Sequence, residues 1–407
     1  MLQPLHQAAN RRRLLQFLAA SPLLTHLGAP IAAPADPQAW APRDLDKLID
    51  SAASALDVFD FEPVMKKNVP PAHFGYMATG VDDEVTLRAN RESFQRLQLR
   101  PRRLVDVSEV DTRTDILGTT YDSPIVICPT ASNKAFHPEG EVAVAKAARA
   151  GNHLQMLSTV ATTSIEDAIA ARGAPVWFQL YPTRNWDVAE ALAKRAERAG
   201  SPVIVLTVDV LASQNWETLF RLRRTDDRQC GTCHGRTMQD YVARKSNFDG
   251  INLAGVNFNA THLTWDFVKR LRDTVRTKIM LKGILTEEDA ALAVDSGVDG
   301  IIVSNHGGRV EDSGRAAIDA LPEIIQVVGG RLPVLVDSGF RRGTDIVKAL
   351  AIGARAVLVG RAYAYGLGAG GGAGVARAIE ILRADLVRTL KLLGCASPAD
   401  VTRAHVT

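Results

Sequence analysis

The residues best suited to chemistry in this sequence follow short apolar runs, one after another, from residue 121 onward. They are Thr130, Ser158, Gln179 with Tyr181, Thr207 with Asp209, Lys282, Ser304 to His306, Asp337 to Gly339, and Gly360 with Arg361. Any one of them alone would be read as a capping or loop-anchoring residue. Polar groups of differing chemistry at all eight positions instead predict one site, with a lysine, a histidine and an aspartate around a common centre.

The last two of these positions carry a phosphate signature. Asp337-Ser338-Gly339-Phe340-Arg341 and Gly360-Arg361 place backbone N–H groups and two guanidinium groups after the final two apolar runs. Glycine lets the backbone approach phosphate oxygens closely, and arginine suits a dianion through bidentate contacts. The pattern predicts a phosphorylated ligand or cofactor.

The elements that must position these groups alternate regularly. Apolar, strand-like runs lie at 124–128, 154–158, 176–181, 203–208, 279–282, 300–304, 332–336 and 356–359. Helical patterns, such as those at 139–150, 187–199, 287–296 and 344–352, lie between them. Eight such units predict an α/β fold of the (β/α)8 TIM barrel type, with an open doubly wound sheet as the alternative. A long loop, 210–263, follows the fourth strand and is typical of a lid or binding loop.

The residues before the barrel divide into two segments. Residues 1–35 contain Arg11-Arg12-Arg13, an apolar run from Phe17 to Leu27, and Ala33-Pro34-Ala35. This order is typical of a twin-arginine export signal and predicts a periplasmic or otherwise exported protein. The alternative is an amphipathic helix on a cytoplasmic protein. Residues 36–120 are predicted to form a helical segment leading into the barrel at 121–407.

The composition excludes some classes of function. The chain has 407 residues, a net charge of +3, and 46% hydrophobic residues. So small a charge, without a basic patch interleaved with aromatic residues, argues against nucleic-acid binding. No apolar stretch approaches the roughly 18 residues of a transmembrane helix.

The segment Ser304-Asn305-His306-Gly307-Gly308-Arg309, followed by Asp312, resembles the signature of the FMN-dependent 2-hydroxy-acid dehydrogenases and oxidases. This family includes glycolate oxidases, lactate oxidases and dehydrogenases, and mandelate dehydrogenases. Further similar segments lie at 76–80, 100–102, 129–131, 137–140, 179–181, 206–209 and 341–345. The resemblance implies a TIM barrel that binds FMN and oxidises a lactate-like, mandelate-like or larger 2-hydroxy acid to the 2-oxo acid. It also implies a homo-oligomer, commonly a tetramer.

The resemblance also implies roles for individual residues. His306 corresponds to the base that takes the hydroxyl proton, and Asp209 to the carboxylate that orients it. Tyr76, Tyr181 and Arg309 correspond to residues that bind the substrate. The residues that correspond to FMN contacts are Pro129, Thr130, Ala131, Ser158, Gln179, Thr207, Lys282, Ser304, Asp337, Ser338, Gly339, Phe340, Arg341, Gly360 and Arg361.

The sequence departs from the family pattern at two positions. Trp216 stands where the family has a second arginine that clamps the substrate carboxylate, so we expect weaker binding of a small carboxylate or a larger substrate. Arg221, Arg223 and Arg224 are nearby, but their spacing does not match. Ser338 replaces a glycine of the phosphate loop, which is tolerable if its φ is negative.

The long loop contains a further motif, Cys230-Gly231-Thr232-Cys233-His234. This spacing is that of covalent haem c attachment, a reading consistent with export. A short-loop disulfide or free thiols, or a metal site completed elsewhere, are the alternatives.

Two other functions remain open from the sequence alone. Lys282 could form a Schiff base with a phosphorylated carbonyl substrate, as in barrel aldolases. The protein could also be a flavoprotein that binds or relays electrons without turnover. The sequence does not indicate whether the electron acceptor is a quinone, a cytochrome or oxygen. It therefore does not distinguish an oxidase from a dehydrogenase.

Overall fold

Three helices and a β-hairpin precede the barrel in a computed structural model that describes residues 49–226, 238–253 and 257–407. The helices are α1 (Phe61–Asn68), α2 (Pro71–Ala78) and α3 (Val85–Arg96), and the hairpin pairs β1 (Thr114–Ile116) with β2 (Thr119–Tyr121). Between residues 49 and 60 there are only two 3₁₀ turns, Ala52–Ser54 and Val58–Asp60. The sequence pattern does not indicate the hairpin, because strands of three residues are too short to show alternation.

Eight parallel strands then form a nearly closed barrel. They are β3 (Ile125–Ile127), β4 (Met156–Ser158), β5 (Trp177–Leu180), β6 (Val203–Thr207), β7 (Lys278–Ile284), β8 (Gly300–Val303), β9 (Val334–Val336) and β10 (Ala356–Val359). Each strand from β4 to β10 pairs with the next, and β10 pairs with β3. A single parallel bridge between Ile127 and Gln155 joins β3 to the β4 side. The predicted (β/α)8 barrel is therefore confirmed.

The barrel strands are apolar because both of their faces are buried. In β6, Val203 and Val205 belong to the cluster inside the barrel, whereas Ile204 and Leu206 pack beneath the helices. Side chains alternate along a strand, so Thr207, two residues after Val205, also points inward at the carboxyl end. The same alternation turns the last polar residue of the other strands toward the barrel axis. The hairpin contributes Ile116 and Tyr121 to the inner cluster.

Helices surround the barrel and connect its strands. They are α4 (Gly140–Ala150), α5 (Ile165–Arg172), α6 (Trp186–Arg198), α7 (Glu217–Arg223), α8 (Met238–Val242), α9 (Trp265–Thr274), α10 (Glu287–Asp295), α11 (Ala317–Val328), α12 (Gly343–Ile352) and α13 (Arg361–Leu393). The long loop is thus not free of helix, since α7, α8 and the 3₁₀ turn Ser246–Phe248 lie within it. Across the part of the chain that the structure describes, no helix is long and apolar enough to cross a membrane.

Candidate active site

His306 and Asp209 form a hydrogen-bonded pair at the carboxyl end of the barrel. Asp209 lies two residues after β6, and its two carboxylate oxygens are 3.0 and 3.1 Å from Nδ1 of His306. A carboxylate only accepts hydrogen bonds, so Nδ1–H donates and the neutral ring keeps Nε2 as its acceptor. Nε2 is 3.3 Å from the hydroxyl of Tyr181 at the cavity wall. The imidazole therefore presents its basic nitrogen to the cavity.

The charge of Asp209 persists despite its burial. Burial raises the pKa of its carboxyl, but the electrostatic interaction and hydrogen bond with His306 and the charge of Lys282 outweigh this, and the net pKa lies below the ordinary value. Gly283 makes room for the carboxylate: a Cβ there would lie 2.7 Å from Cβ of Asp209. Gly283 has a φ of +110° and occupies the irregularity in the pairing of β7 with β8. Asp209 is thus a buried anion held beside the imidazole.

Lys282 is a buried cation on β7. Its Nζ donates to Ser304 Oγ at 2.8 Å and lies 3.0 Å from Oδ2 of Asp337. Burial lowers the pKa of this ammonium group, but the charges of Asp337 and Asp209 outweigh burial and raise the pKa above its ordinary value. A Schiff base requires a neutral amine, so this environment disfavours the aldolase alternative. It instead provides a permanent positive charge beside the cavity.

Two buried arginines line the far end of the same cavity. Arg341 follows the loop after β9, and Arg361 is the first residue of α13. Burial lowers the pKa of both guanidinium groups, that of Arg361 to about 10, and their mutual repulsion adds to the effect on Arg361. The first N–H groups of α13 have no intrahelical partner and carry the positive end of the helix dipole. These features together make an anion-binding site.

Ser338 in the phosphate loop does not have the negative φ that the sequence analysis required. Its φ is +76°, in the left-handed region that glycine favours. Its side-chain hydroxyl makes two hydrogen bonds there. The hydroxyl donates to Asp337 Oδ1 at 2.7 Å and accepts from the backbone N–H of Gly307 at 3.1 Å. The serine is accommodated through these bonds and not through a change of backbone conformation.

Three of the predicted residues form a buried polar ladder on neighbouring strands. The Ser158 hydroxyl donates to Gln179 Oε1 at 3.1 Å, and Gln179 Nε2 donates to Thr207 Oγ1 at 2.8 Å. All three side chains are buried. The ladder leads from β4 through β5 to β6 beneath the histidine pair. Beside β4, the residues Pro129, Thr130 and Ala131 line the cavity after β3.

Arg309 and Tyr76 line the cavity, and the ring of Trp216 packs against both from outside the lining. The guanidinium carbon of Arg309 lies 4.6 Å from the ring centre of Tyr76 and 5.3 Å from that of Trp216. Nη1 of Arg309 donates to the backbone oxygens of Tyr76 and Thr79. The indole N–H of Trp216 donates to the carbonyl of Arg309 at 3.1 Å. Trp216 thus holds Arg309 in place but adds no charge.

The other arginines considered as replacements for the missing clamp lie outside the cavity lining. Nη2 of Arg221 bonds to Glu217 at 2.8 Å, and the Arg223 guanidinium sits over the ring of Phe220. Arg224 is exposed. Cys230, Cys233 and His234 lie outside the residues that the structure describes.

Some residues of the site have no local sequence signal. Met77, Cys128 and Leu358 line the cavity although their types suggest only core packing. Asn90 on α3 exchanges amide hydrogen bonds with Asn305, at 2.9 and 2.7 Å, and so anchors the segment before His306. Their separation of 215 residues hides this pair from any local pattern.

Comparisons with known proteins agree with this geometry. Residues 65–407 match the family model described as FMN-dependent dehydrogenase. A peroxisomal (S)-2-hydroxyacid oxidase of Arabidopsis thaliana is 42% identical over 352 residues, covering 86% of this chain and 96% of that protein. Glycolate oxidase 1 of Oryza sativa subsp. indica is 40% identical over 363 residues, covering 86% and 95%.

Solved structures give the same result. A mandelate oxidase variant with (S)-mandelic acid has a TM-score of 0.77 and 36% identity, covering 87% of this chain and 98% of that one. A variant of a chimeric (S)-mandelate dehydrogenase has a TM-score of 0.79 and 34% identity, covering 86% and 99%. The similarity extends over almost the full length of the matched structures.

Proposed function

Because the chain belongs to the family of FMN-dependent dehydrogenases, it oxidises 2-hydroxy acids with FMN, and we propose that His306 is the base of this reaction. The observation that carries the proposal is the His306–Asp209 pair, in which Asp209 engages Nδ1 and leaves Nε2 facing the cavity within 3.3 Å of the Tyr181 hydroxyl. A base must lie within hydrogen-bond reach of the proton it removes, and this nitrogen is placed for that purpose.

The residues of the cavity fit FMN. Arg341, Arg361 and the start of α13 provide positive charge and N–H donors for the phosphate. The ladder of Ser158, Gln179 and Thr207 offers polar contacts deeper in the barrel, and Lys282 offers a positive charge. FMN bound here would supply the acceptor for the hydrogen and the two electrons that leave the substrate carbon. A fixed ammonium group close to the cofactor favours the added negative charge.

The other residues hold the substrate and stabilise the proton at His306. Arg309 pairs with the substrate carboxylate, and Tyr76 and Tyr181 donate hydrogen bonds to its oxygens. His306 Nε2 takes the proton of the 2-hydroxyl group, so the ring becomes an imidazolium. Asp209 then stabilises that cation through Nδ1–H, at the distance already present in the structure.

The experiment for the overall reaction is an anaerobic titration of the flavin-loaded protein with a panel of 2-hydroxy acids. We expect bleaching of the oxidised flavin band and formation of one 2-oxo acid per flavin. A fully loaded flavin that no member of the panel reduces would favour the flavoprotein that binds without turnover. The absence of a covalent adduct on Lys282 after treatment with borohydride and phosphorylated aldehydes would exclude the aldolase.

Trp216 supports a preference for substrates with a large apolar group. Tyr76 lines the cavity, packs edge-on to Trp216 at 6.1 Å and stacks with Phe136 at 6.4 Å, and these two rings support it from outside the lining. Tyr181 also lines the cavity and packs against Phe258 at 6.5 Å. One guanidinium anchors the carboxylate where the family pattern has two, so a larger share of the binding energy comes from apolar contact. An aryl group such as that of (S)-mandelic acid, described with a similar mandelate oxidase, suits the rings of Tyr76 and Tyr181.

The replacement Trp216→Arg tests this preference. A second charge-assisted fork is worth about 1.5–3 kcal/mol, so kcat/KM for glycolate or lactate should rise roughly 10- to 100-fold, whereas mandelate gains the same carboxylate contact but loses the indole and should rise less. Trp216→Phe is the matched control, because it keeps the ring but loses the N–H donor to Arg309. An unchanged ratio of the two substrates in Trp216→Arg would contradict the assignment.

The remaining expectations concern location and partners. Residues 1–35 support export by the twin-arginine route, which carries folded, cofactor-loaded proteins, and export favours a quinone or cytochrome over oxygen as acceptor. Cys230, Cys233 and His234 keep their three readings, namely haem c, a disulfide or free thiols, and metal. A visible spectrum of protein recovered from the periplasm distinguishes haem c from the other two readings, since haem and flavin absorb in different bands. A homo-oligomer, commonly a tetramer, is proposed from the family and is tested by light scattering.

A further inference from the structure

A closed circuit of hydrogen bonds links the ends of β7, β8 and β9. Lys282 Nζ contacts both Asp337 Oδ2, at 3.0 Å, and Ser304 Oγ, at 2.8 Å. Ser304 Oγ also accepts the backbone N–H of His306 at 3.0 Å. The circuit therefore joins the lysine, the phosphate-loop aspartate and the turn that carries the base.

Ser338 closes this circuit from the other side. Its hydroxyl donates to Asp337 Oδ1 at 2.7 Å and accepts the backbone N–H of Gly307 at 3.1 Å. A hydroxyl has one hydrogen to donate, so the donor is committed to Asp337 and is not offered to a phosphate oxygen. Glycine at this position would leave both contacts unmade.

The backbone around the base shows why such a contact matters. His306, Gly307 and Gly308 all have positive φ, at 57°, 72° and 72°, and a left-handed turn of this kind is unfavourable for the histidine. Such a conformation persists only where its surroundings hold it. The N–H of Gly307 bonds to Asn305 Oδ1 at 3.1 Å and to Ser338 Oγ. Asn305 belongs to the same loop as Gly307, after β8. Ser338 belongs to the loop after β9, so only its bond fixes Gly307 to a different part of the barrel.

Serine at 338 carries its own conformational cost. Its φ of +76° is one that glycine adopts freely and an L-residue does not. The side chain is buried, with 8% of the residue exposed, so it gains nothing from solvent. The hydroxyl contacts are the feature in the structure that offsets this cost.

We propose that Ser338 is a positioning residue that fixes the His306 turn relative to the Lys282–Asp337 pair. It acts through the backbone at Gly307 and through the carboxylate of Asp337, and it touches neither the substrate nor the transferred proton. The effect on turnover rests on the proposed role of His306. The effect of Ser338 on Asp337 and Lys282 does not depend on the role of His306, since it concerns only the charge that Lys282 and Asp337 present to the cavity.

The test compares Ser338→Gly with Ser338→Ala. Both remove the hydroxyl, but only glycine relieves the left-handed backbone, so the melting temperature of the FMN-loaded protein should be higher in Ser338→Gly than in Ser338→Ala. Both should lower the rate of flavin reduction by substrate about tenfold, the effect of one lost hydrogen bond on alignment. The dissociation constant for FMN should stay close to the wild-type value in both.

The second measurement is the reduction potential of bound FMN, obtained with a chemical reductant and no substrate. Without the hydroxyl, the full charge of Asp337 is available to neutralise Lys282, so the potential should fall in both variants. A Ser338→Gly protein with the wild-type reduction rate and potential would overturn the proposal, as would a large loss of FMN affinity, which would make Ser338 a direct ligand. If no 2-hydroxy acid reduces the wild-type flavin, the proposed function fails, while a shift in potential still supports the coupling to Lys282.

Discussion

Replacing Asp209 with asparagine tests the electrostatic part of the mechanism while preserving side-chain shape. The carboxylate lies 3.0 Å from Nδ1 of His306, and its side chain is only 9% exposed. At an effective dielectric constant of about 20, a unit charge at 3.0 Å stabilises an imidazolium by roughly 5 kcal/mol. A neutral amide retains about 1 kcal/mol of this as a hydrogen bond. The remaining 4 kcal/mol or so corresponds to a loss of about 10³-fold in rate.

The assay is anaerobic rapid mixing of FMN-loaded Asp209→Asn with substrate, following loss of the oxidised flavin band. The FMN dissociation constant should be unchanged, because Asp209 lies away from the phosphate loops. Asp273→Asn serves as the control, since its exposed ion pair with Lys269 is far from the site and should leave the rate unaffected. A reduction rate in Asp209→Asn close to that of the wild type would refute the claim that this carboxylate stabilises the protonated histidine.

Two further predictions follow from the packing. Gly283→Ala should lose most of its activity and about 1–3 kcal/mol of unfolding free energy, since its φ is +110° and the new Cβ would lie 2.7 Å from Asp209. Gly200→Ala, at φ +91° with no atom within 4 Å, controls for backbone strain alone: equal losses of activity in the two would contradict the account. His153 is buried, which lowers its pKa from 6.5 to about 4, with the charge of Arg383 adding to the effect. Between these values the unfolded chain binds a proton that the folded chain does not, so the unfolding free energy should fall by about 3 kcal/mol as pH drops from 6.5 to 4. Urea titrations across this range should show a flatter pH dependence for His153→Gln, and an identical slope would argue against the assignment.

The barrel could be predicted from the sequence because its strands are buried on both faces. The residues 203–206 of β6 must then be apolar, and the inward polar residue Thr207 at its end becomes visible against that background. The bounds of a helix could also be predicted from its sequence pattern: the helical pattern at 344–352 corresponds to the helix Gly343–Ile352.

Features that depend on distant contacts were beyond sequence reasoning. The left-handed φ of Ser338 is compensated by contacts with Asp337 and Gly307, and Gly307 lies in the loop that follows a different strand. The pairing of Asn90 with Asn305 and the space that Gly283 leaves for Asp209 likewise require the closed barrel. Cys128 looks like a core residue by type, yet it lines the cavity because it has the same strand parity as Val126.

The most direct test of the central claim is the rate of flavin reduction in His306→Ala. We expect this variant to bind FMN like the wild type, because the phosphate loops and Lys282 are untouched. We expect substrate to reduce its flavin about 10²- to 10⁴-fold more slowly, because the base is missing. Reduction at close to the wild-type rate, with FMN fully bound, would show that His306 is not the base.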